Sequence, residues 1–124
     1  MKRFWTISAL LLGASAAAVW GALFGSASAK DPAKLSFAKD VQPLLKKYCY
    51  DCHADGAKKG GVDFDRYKSH AELLADRKLW DQTLLNVRSR AMPPEDKKKQ
   101  PTLAEREVIQ AWIDFEVFKT DPKN

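Results

Sequence analysis

Residues 49–53 read Cys-Tyr-Asp-Cys-His and contain both cysteines and one of the two histidines of the 124-residue chain. The pattern C-x-x-C-H is typical of a covalent attachment site for c-type haem. Two thiols can add to the two vinyl groups of one porphyrin, because one turn of chain between Cys49 and Cys52 spans that distance. His53 follows directly and is therefore placed to bind the iron as an axial ligand. The pattern predicts a chain that folds around one haem.

Three other uses of these cysteines are less well supported. A thioredoxin-like redox dithiol would need a βαβ context, which the sequence does not show. A disulfide between residues three apart would close a loop too small to add much stability. A zinc site would need two more ligands at a recognisable spacing, and only His70 and scattered carboxylates are left. Zinc binding and dithiol chemistry stand as the alternatives to haem.

The first 29 residues have the features of a secretory signal peptide. Lys2 and Arg3 are followed by residues 4–29 without any charge, and an A-x-A cleavage sequence ends at Ala29. We therefore expect cleavage after residues 1–29, with an uncleaved membrane anchor as the alternative, because the uncharged stretch is long enough to span a bilayer. Either outcome exports the cysteines across the inner membrane, and we expect a periplasmic protein.

The mature part, residues 30–124, is short and only mildly basic. Its 95 residues form one small domain with a thin core, to which a covalently held haem would add apolar mass. Without Lys2 and Arg3, 19 basic and 16 acidic side chains remain, and two haem propionates would reduce the formal charge from +3 to near +1. This charge is too small to indicate a nucleic-acid partner. The run Lys97-Lys98-Lys99 is interpreted as solvated surface, with docking of an acidic redox partner as the alternative.

The first predicted helix delivers the cysteine motif. Residues 30–39 are expected to be a short polar lead-in, and the domain proper is expected at 40–124. Asp40 is the predicted N-cap of a helix that runs toward Cys49. Its apolar face, at i, i+3, i+4 and i+7, consists of Val41, Leu44, Leu45 and Tyr48. The helix is therefore expected to turn an apolar side toward the core.

Three further helices are predicted after a glycine-containing loop over residues 54–68, which is expected to fold over the haem edge. Capping signals and apolar periodicity place them at 70–76, 78–88 and from Thr102 to about Phe118. The second of these must end before Met92-Pro93-Pro94, because the residue before a proline is disfavoured in helical conformation. Nothing in the sequence predicts a strand. About four helices and no sheet make the predicted fold class all-α.

A haem iron in a small cytochrome usually has a second protein ligand. Met92 stands on a turn stiffened by Pro93 and Pro94, and a thioether there could form the weak, soft axial bond. Ordinary core filling is the alternative for this methionine. His70 is the other candidate, although a solvated histidine is expected at the first position of a capped helix. An open sixth position is the third possibility, and it would suit gas binding or peroxidase-like chemistry.

Several further side chains have two possible roles. Trp80 and Trp112 are expected to fill the core and to contact the haem from there, since the two roles are compatible in so thin a domain, with core filling alone as the alternative. One of Arg88 and Arg90 is a candidate partner for a propionate, with free surface arginine as the alternative. Tyr50 is expected to be exposed.

Three sequence blocks resemble the class I c-type cytochromes, and more closely the small cytochrome c domain of planctomycete-type proteins. The first, FAKDVQPLLKKYCYDCH, runs from Phe37 to His53 and is similar to the family's helix leading into C-x-x-C-H. The second, KGGVDFD, is similar to the family's glycine-pair loop, with Val62 and Phe64 where leucines are commoner. The third, VRSRAMPPEDKKKQPTLAEREVIQAWI, matches a helix end, M-P-P, a polar loop and a final helix with a W-I pair.

The resemblance implies a small class I cytochrome c-like fold around one covalently bound haem c. It implies that Cys49 and Cys52 are the thioether anchors, His53 the proximal iron ligand and Met92 the distal one. The expected function is one-electron transfer between redox partner proteins, without catalysis, by a monomer that contacts a membrane only if the N-terminal segment is retained. The alternatives are an open sixth site used in peroxidase-like catalysis or sensing, and a docked subunit of a larger redox complex. Many relatives carry the domain within much larger proteins.

Overall fold

The computed structural model describes residues 30–120, so the predicted signal peptide at residues 1–29 lies outside the described part. Within these residues the chain forms helices and tight helical turns and no strand, which confirms the all-α prediction. No helix between residues 30 and 120 has both the length and the apolar character needed to cross a membrane.

Five α-helices follow one another in the described part of the chain. They are α1 at Gln42–Tyr48, α2 at Tyr50–His53, α3 at His70–Ala75, α4 at Arg77–Arg88 and α5 at Leu103–Trp112. A π-helical turn at Phe37–Val41 leads into α1, and another at Ile113–Val117 extends α5. Single 3-10 turns lie at Pro32–Lys34 and Lys59–Gly61.

The first helical segment begins three residues before the predicted N-cap, so the assignment of Asp40 to that position is wrong. Phe37 is the first helical residue. Asp40 lies one turn further on, where its backbone N–H donates to the Ser36 carbonyl at 2.8 Å and its carboxylate accepts from the Ser36 N–H at 2.8 Å. The carboxylate thus reaches backward to satisfy a backbone donor that the helix leaves unpaired.

Residues 30–39, expected to be a polar lead-in, contribute to the core. Leu35 is buried, and Phe37 packs against two tryptophans, with ring centroids 6.2 Å from Trp80 and 5.2 Å from Trp112. A chain this short has few apolar residues to bury, so the segment before α1 supplies part of the apolar contact.

Trp80 and Trp112 fill the centre of the core. Both are almost completely buried, and their rings meet edge to face with centroids 5.1 Å apart. The Trp80 indole N–H donates to the Leu73 carbonyl at 2.7 Å, so its polar group is satisfied inside the protein. The structure therefore places both tryptophans in the core, and their contact with a haem stays a prediction.

The starts of α3 and α4 are fixed by short polar side chains. The Ser69 hydroxyl accepts from the Glu72 N–H at 3.2 Å, as predicted. The Glu72 carboxylate, however, accepts from the backbone N–H of Lys68 and not from that of Ser69, so the predicted capping box is incomplete. Asp76 caps α4 by accepting from the Leu79 N–H at 3.1 Å, a role that the sequence reasoning missed. Each bond satisfies one of the unpaired N–H groups of a first helical turn.

Helix α5 begins with the predicted capping box. The Thr102 hydroxyl accepts from the Glu105 N–H at 3.2 Å, and the Glu105 carboxylate accepts from the Thr102 N–H at 2.8 Å. An ion pair between Arg88 and Asp114 joins the end of α4 to the extension of α5. The end of α4, from which the Met92 loop starts, is thus held against the extension of α5.

Candidate haem-binding site

A cavity of about 650 Å³ lies between the cysteine motif and the loop after α4. All four predicted site residues line it: Cys49, Cys52, His53 and Met92. Its other walls include apolar and small polar side chains, among them Val62, Phe64, Thr83, Leu85, Val87, Pro93, Pro94 and Ile109. The volume falls in the range of about 300–1,000 Å³ that is usual for cofactor pockets. The structure therefore brings together side chains that lie 39 to 43 residues apart in the sequence.

The cysteine motif forms one helical turn at the end of α1. The Cys49 carbonyl accepts from the N–H groups of Cys52 and His53, each at 3.1 Å. Both cysteines are free, and both line the cavity together with His53. This single turn places both cysteines and the histidine along one cavity, as covalent haem attachment requires.

The Cys49 thiol is poorly suited to dithiol chemistry. Burial raises the pKa of Cys49 to about 12, and the nearby Arg106 guanidinium opposes only part of this rise. The thiolate is the reactive form in disulfide exchange, so a thiol that stays protonated at neutral pH exchanges slowly. This environment counts against the redox-dithiol alternative.

His53 is positioned by Phe64, which the sequence reasoning noted only as an unusual residue in its block. The Phe64 N–H donates to the His53 carbonyl at 2.8 Å, and its ring meets the imidazole edge to face at a centroid distance of 6.0 Å. Tyr50, expected to be exposed, is instead half-buried and stacks on Phe64 at 6.5 Å. The Phe64 ring, which is itself stacked on Tyr50, thereby restricts the orientation of the His53 imidazole.

The imidazole of His53 also has an unsatisfied polar atom. Its Nδ1 is buried and has no hydrogen-bond partner within the described residues. A buried polar group without a partner normally costs about 1–3 kcal/mol, and such groups are found where a function requires them. Two thiols, this imidazole and a thioether around an apolar cavity form a donor set that fits a c-type haem.

Met92 lines the same cavity and lies in the loop that follows α4. Its N–H donates to the Asn86 carbonyl at 3.2 Å, and its side chain is 38% exposed. Pro93, directly after it, is buried, so the loop is anchored on both sides of the methionine. A large apolar side chain that is exposed toward a cofactor-sized cavity is available as a ligand.

His70, the other candidate ligand, is not part of this cavity. It is exposed at the first position of α3 and lines a separate concavity beside Tyr50 and Asp55. Neither candidate propionate partner lines the cavity, because Arg88 pairs with Asp114 and Arg90 lies in another surface groove. Of the two candidate second ligands, Met92 lines the cavity with the motif and His70 does not.

Arg106 is a second site residue that the sequence reasoning missed. Its guanidinium is buried and donates to the carbonyl of Met92 at 2.8 Å, to that of Val87 at 3.3 Å and to the Gln100 side chain at 3.1 Å. A signal existed, since Arg106 lies three residues before the buried Ile109 on α5 and so interrupts an apolar face with a charge.

Glu105 connects α1, which precedes the cysteine motif, to α5. The Tyr48 hydroxyl donates to its two carboxylate oxygens at 3.0 and 2.9 Å, and the Lys47 ammonium lies 3.1 Å away. Tyr48 is accordingly half-buried with its polar end paired. The Thr102 backbone N–H, together with Tyr48 and Lys47, lowers the pKa of Glu105 to about 2 from 4.5.

We expect the ionised Glu105 carboxylate to stabilise the folded protein, and we expect acid to remove this stabilisation. Because its folded pKa is depressed, the contribution is complete above about pH 4.5 and is lost as the pH falls toward about 2. Glu105→Gln keeps hydrogen-bonding capacity but cannot titrate, so its unfolding free energy should depend less on pH in this window. Urea unfolding of the haem-loaded protein between pH 5 and 2 measures this. Glu107→Gln, at an exposed position of the same helix, is the control, and parallel pH profiles for Glu105→Gln and the parent would contradict the expectation.

One family model matches part of the chain. The family model described as Planctomycete cytochrome C matches residues 49–96, a stretch that begins with the C-x-x-C-H motif and includes α3, α4 and the Met92 loop. No curated protein and no solved structure gave a significant match to the chain. The family match, the helical fold and the cavity at the motif agree with the resemblance seen in the sequence. The match supports a cytochrome c-type domain in this chain.

Proposed function

We propose that this protein is a periplasmic monohaem c-type cytochrome that carries one electron at a time between redox partner proteins. The observation that carries this proposal is that both cysteines of the C-x-x-C-H motif, His53 and Met92 line one cavity. The chain contains one such motif, so one haem is proposed.

Each site residue has a distinct proposed role. Cys49 and Cys52 hold the haem by thioether bonds, His53 is the proximal iron ligand and Met92 the distal one. When bound, such a haem supplies the one-electron ferric–ferrous couple. A thioether ligand favours the reduced, less charged iron, so Met92 is proposed to raise the reduction potential.

The remaining cavity walls determine how the site meets water. Phe64, Val87 and Ile109 are buried apolar residues of its lining and exclude water from that side. Lys59 and Lys97 also line the cavity and are the cations available to the two propionates. Burial of one side and exposure of the other favour electron exchange through an accessible haem edge.

The surface beside the motif carries an excess of positive charge. A second concavity of about 320 Å³ is lined by the same four site residues, and its charged residues are four lysines and only two aspartates. These are Lys47, Lys97, Lys98, Lys99, Asp51 and Asp96. Such a surface accelerates encounter with partners of opposite charge. We therefore propose acidic redox proteins as donor and acceptor, one electron leaving the donor and one reaching the acceptor per cycle, with no nucleic acid involved.

The proposed location depends on the N-terminal sequence. A signal peptide at residues 1–29 would deliver a monomer to the periplasm, where haem attachment gives the two thiols a fate other than a disulfide. Contact with a membrane is proposed only if that segment is retained as an anchor. N-terminal sequencing of the exported protein would distinguish the two forms.

The test is a visible spectrum of the purified haem-loaded protein, oxidised and reduced. We expect sharp bands of a c-type haem on reduction and the weak long-wavelength sulfur-to-iron band on oxidation. Oxidation of the ferrous protein by ferricyanide, an anionic one-electron oxidant, should be rapid and should slow as salt screens the lysines. Cyanide or carbon monoxide binding to the unaltered protein, without the sulfur band, would instead indicate an open site and peroxidase-like or sensing chemistry. Absence of haem would refute the proposal.

A further inference from the structure

Arg106 is a buried cation without an anionic partner. Its side chain is 6% exposed, and it is the only basic residue among the buried ones in the described part of the chain. None of the ion pairs formed within residues 30–120 includes it. Burying a charge costs several kcal/mol unless hydrogen bonds compensate for lost hydration. A leucine would fit the apolar face of α5 without this cost, so the contacts of Arg106 require an explanation.

The hydrogen-bond acceptors of Arg106 are Met92 itself and residues that precede and follow it in the sequence. Its Nη1 donates to the Val87 carbonyl, five residues before Met92, and to the carbonyl of Met92 itself. Its Nη2 donates to the Gln100 side chain, eight residues after Met92. The guanidinium therefore ties the residues before, at and after the methionine to α5.

Gln100 extends this network across the rest of the loop. Its amide nitrogen donates to the carbonyl of Pro94 at 2.8 Å and to that of Lys97 at 3.2 Å. Residues 89–102, between α4 and α5, contain no helix or strand, so such side-chain bonds replace the missing backbone ladder. Through Gln100, Arg106 also restrains the stretch that follows Met92.

A methionine–iron bond is weak, so it depends on the protein holding the sulfur in place beforehand. Free energy spent on ordering a mobile loop would be subtracted from the bond. A planar guanidinium can donate in two directions at once, whereas a lysine ammonium on a flexible stem lacks this fixed geometry. The buried arginine thus suits a position at which three separated acceptors must be held together.

We infer that Arg106 is the positioning residue for Met92, holding the loop after α4 so that the methionine sulfur stays on the iron. This inference rests on the proposed His53/Met92 ligation and adds the residue that sustains it. It predicts that loss of Arg106 opens the distal side of the site even when the fold and the thioether bonds are intact.

The experiment compares ferric, haem-loaded Arg106→Gln and Arg106→Lys with the parent protein and with Arg90→Gln. The sulfur-to-iron band and the affinity for cyanide are measured, alongside far-ultraviolet circular dichroism and covalent haem content. In Arg106→Gln we expect loss of most of the band and cyanide binding about tenfold tighter or more, because the distal position is open for a larger fraction of time. Arg106→Lys should fall between this variant and the parent. Arg90→Gln removes the same charge from an exposed residue and should match the parent.

The outcomes separate this inference from the proposed function. An Arg106→Gln protein that keeps the band and the parent's cyanide affinity would overturn the positioning role while leaving Met92 ligation in place. A parent protein without the band would overturn Met92 ligation and the inference with it. If Arg106→Gln does not accumulate as a folded haem protein, Arg106→Lys decides, and parental cyanide affinity in that variant would also overturn the inference.

Discussion

Replacing both Cys49 and Cys52 with alanine is expected to abolish covalent haem attachment. These cysteines line one cavity and sit on the single helical turn that carries the motif. Haem staining after denaturing electrophoresis should show no signal, since a haem without thioether bonds is released on unfolding. The haem-free chain should also be largely unfolded by circular dichroism, because a chain this short has only a thin apolar core without the haem.

The control for this double variant is Asp51→Ala, at an exposed position between the two cysteines. It leaves both sulfur atoms in place and should keep the covalent haem. Haem that stays attached to the double variant after denaturation would place the attachment elsewhere in the chain. A double variant that folds fully without haem would contradict the view that the haem completes the core.

Met92→Ala is the second substitution with a large expected effect. Loss of the thioether should remove the sulfur-to-iron band, let cyanide bind and lower the reduction potential. Axial ligands shift haem potentials over a range of roughly 0.8 V, and we expect a decrease on the order of 100 mV here. Stability should change little by comparison, because the Met92 side chain is 38% exposed and fills no tightly packed space. Spectroelectrochemical titration gives the potential and the band in one measurement.

The matched control is His70→Ala, which removes the other candidate ligand. His70 is exposed and lines a different concavity, so its loss should leave the spectrum and the potential unchanged. The opposite pattern, with Met92→Ala silent and His70→Ala losing a low-spin spectrum, would require the loop and α3 to be arranged differently around the iron.

The helices that could be predicted are those with local signals. Sequence reasoning placed the third helix at 78–88, and the structure has it at Arg77–Arg88. The capping box at Thr102 and Glu105 forms as predicted, because its two hydrogen bonds join residues only three apart. The start of the first helix was missed, since the Asp40 carboxylate acts on the backbone four residues earlier, beside a Leu35 and a Phe37 that pack into the core.

The candidate site was also predictable only in part. Cys49, Cys52 and His53 follow from one contiguous motif, whose spacing is itself the chemical requirement. Phe64 contacts His53 only because the loop after the motif folds back onto it. The periodicity of apolar residues in the sequence does not predict such a contact. Arg106 was missed for a related reason, because its acceptors are 6 to 19 residues away along the chain.

The sequence by itself determined the haem-attachment motif and the helical character of the chain, because thioether spacing, capping and apolar periodicity are all properties of neighbouring residues. Only the tertiary structure decided which long-range partners meet. It placed Met92 and not His70 beside the motif, and it put Trp80 in the core. It also buried a charged Arg106 beneath the methionine loop. These outcomes depend on how helices pack against one another, and packing is set by the competition of all apolar side chains for one small core.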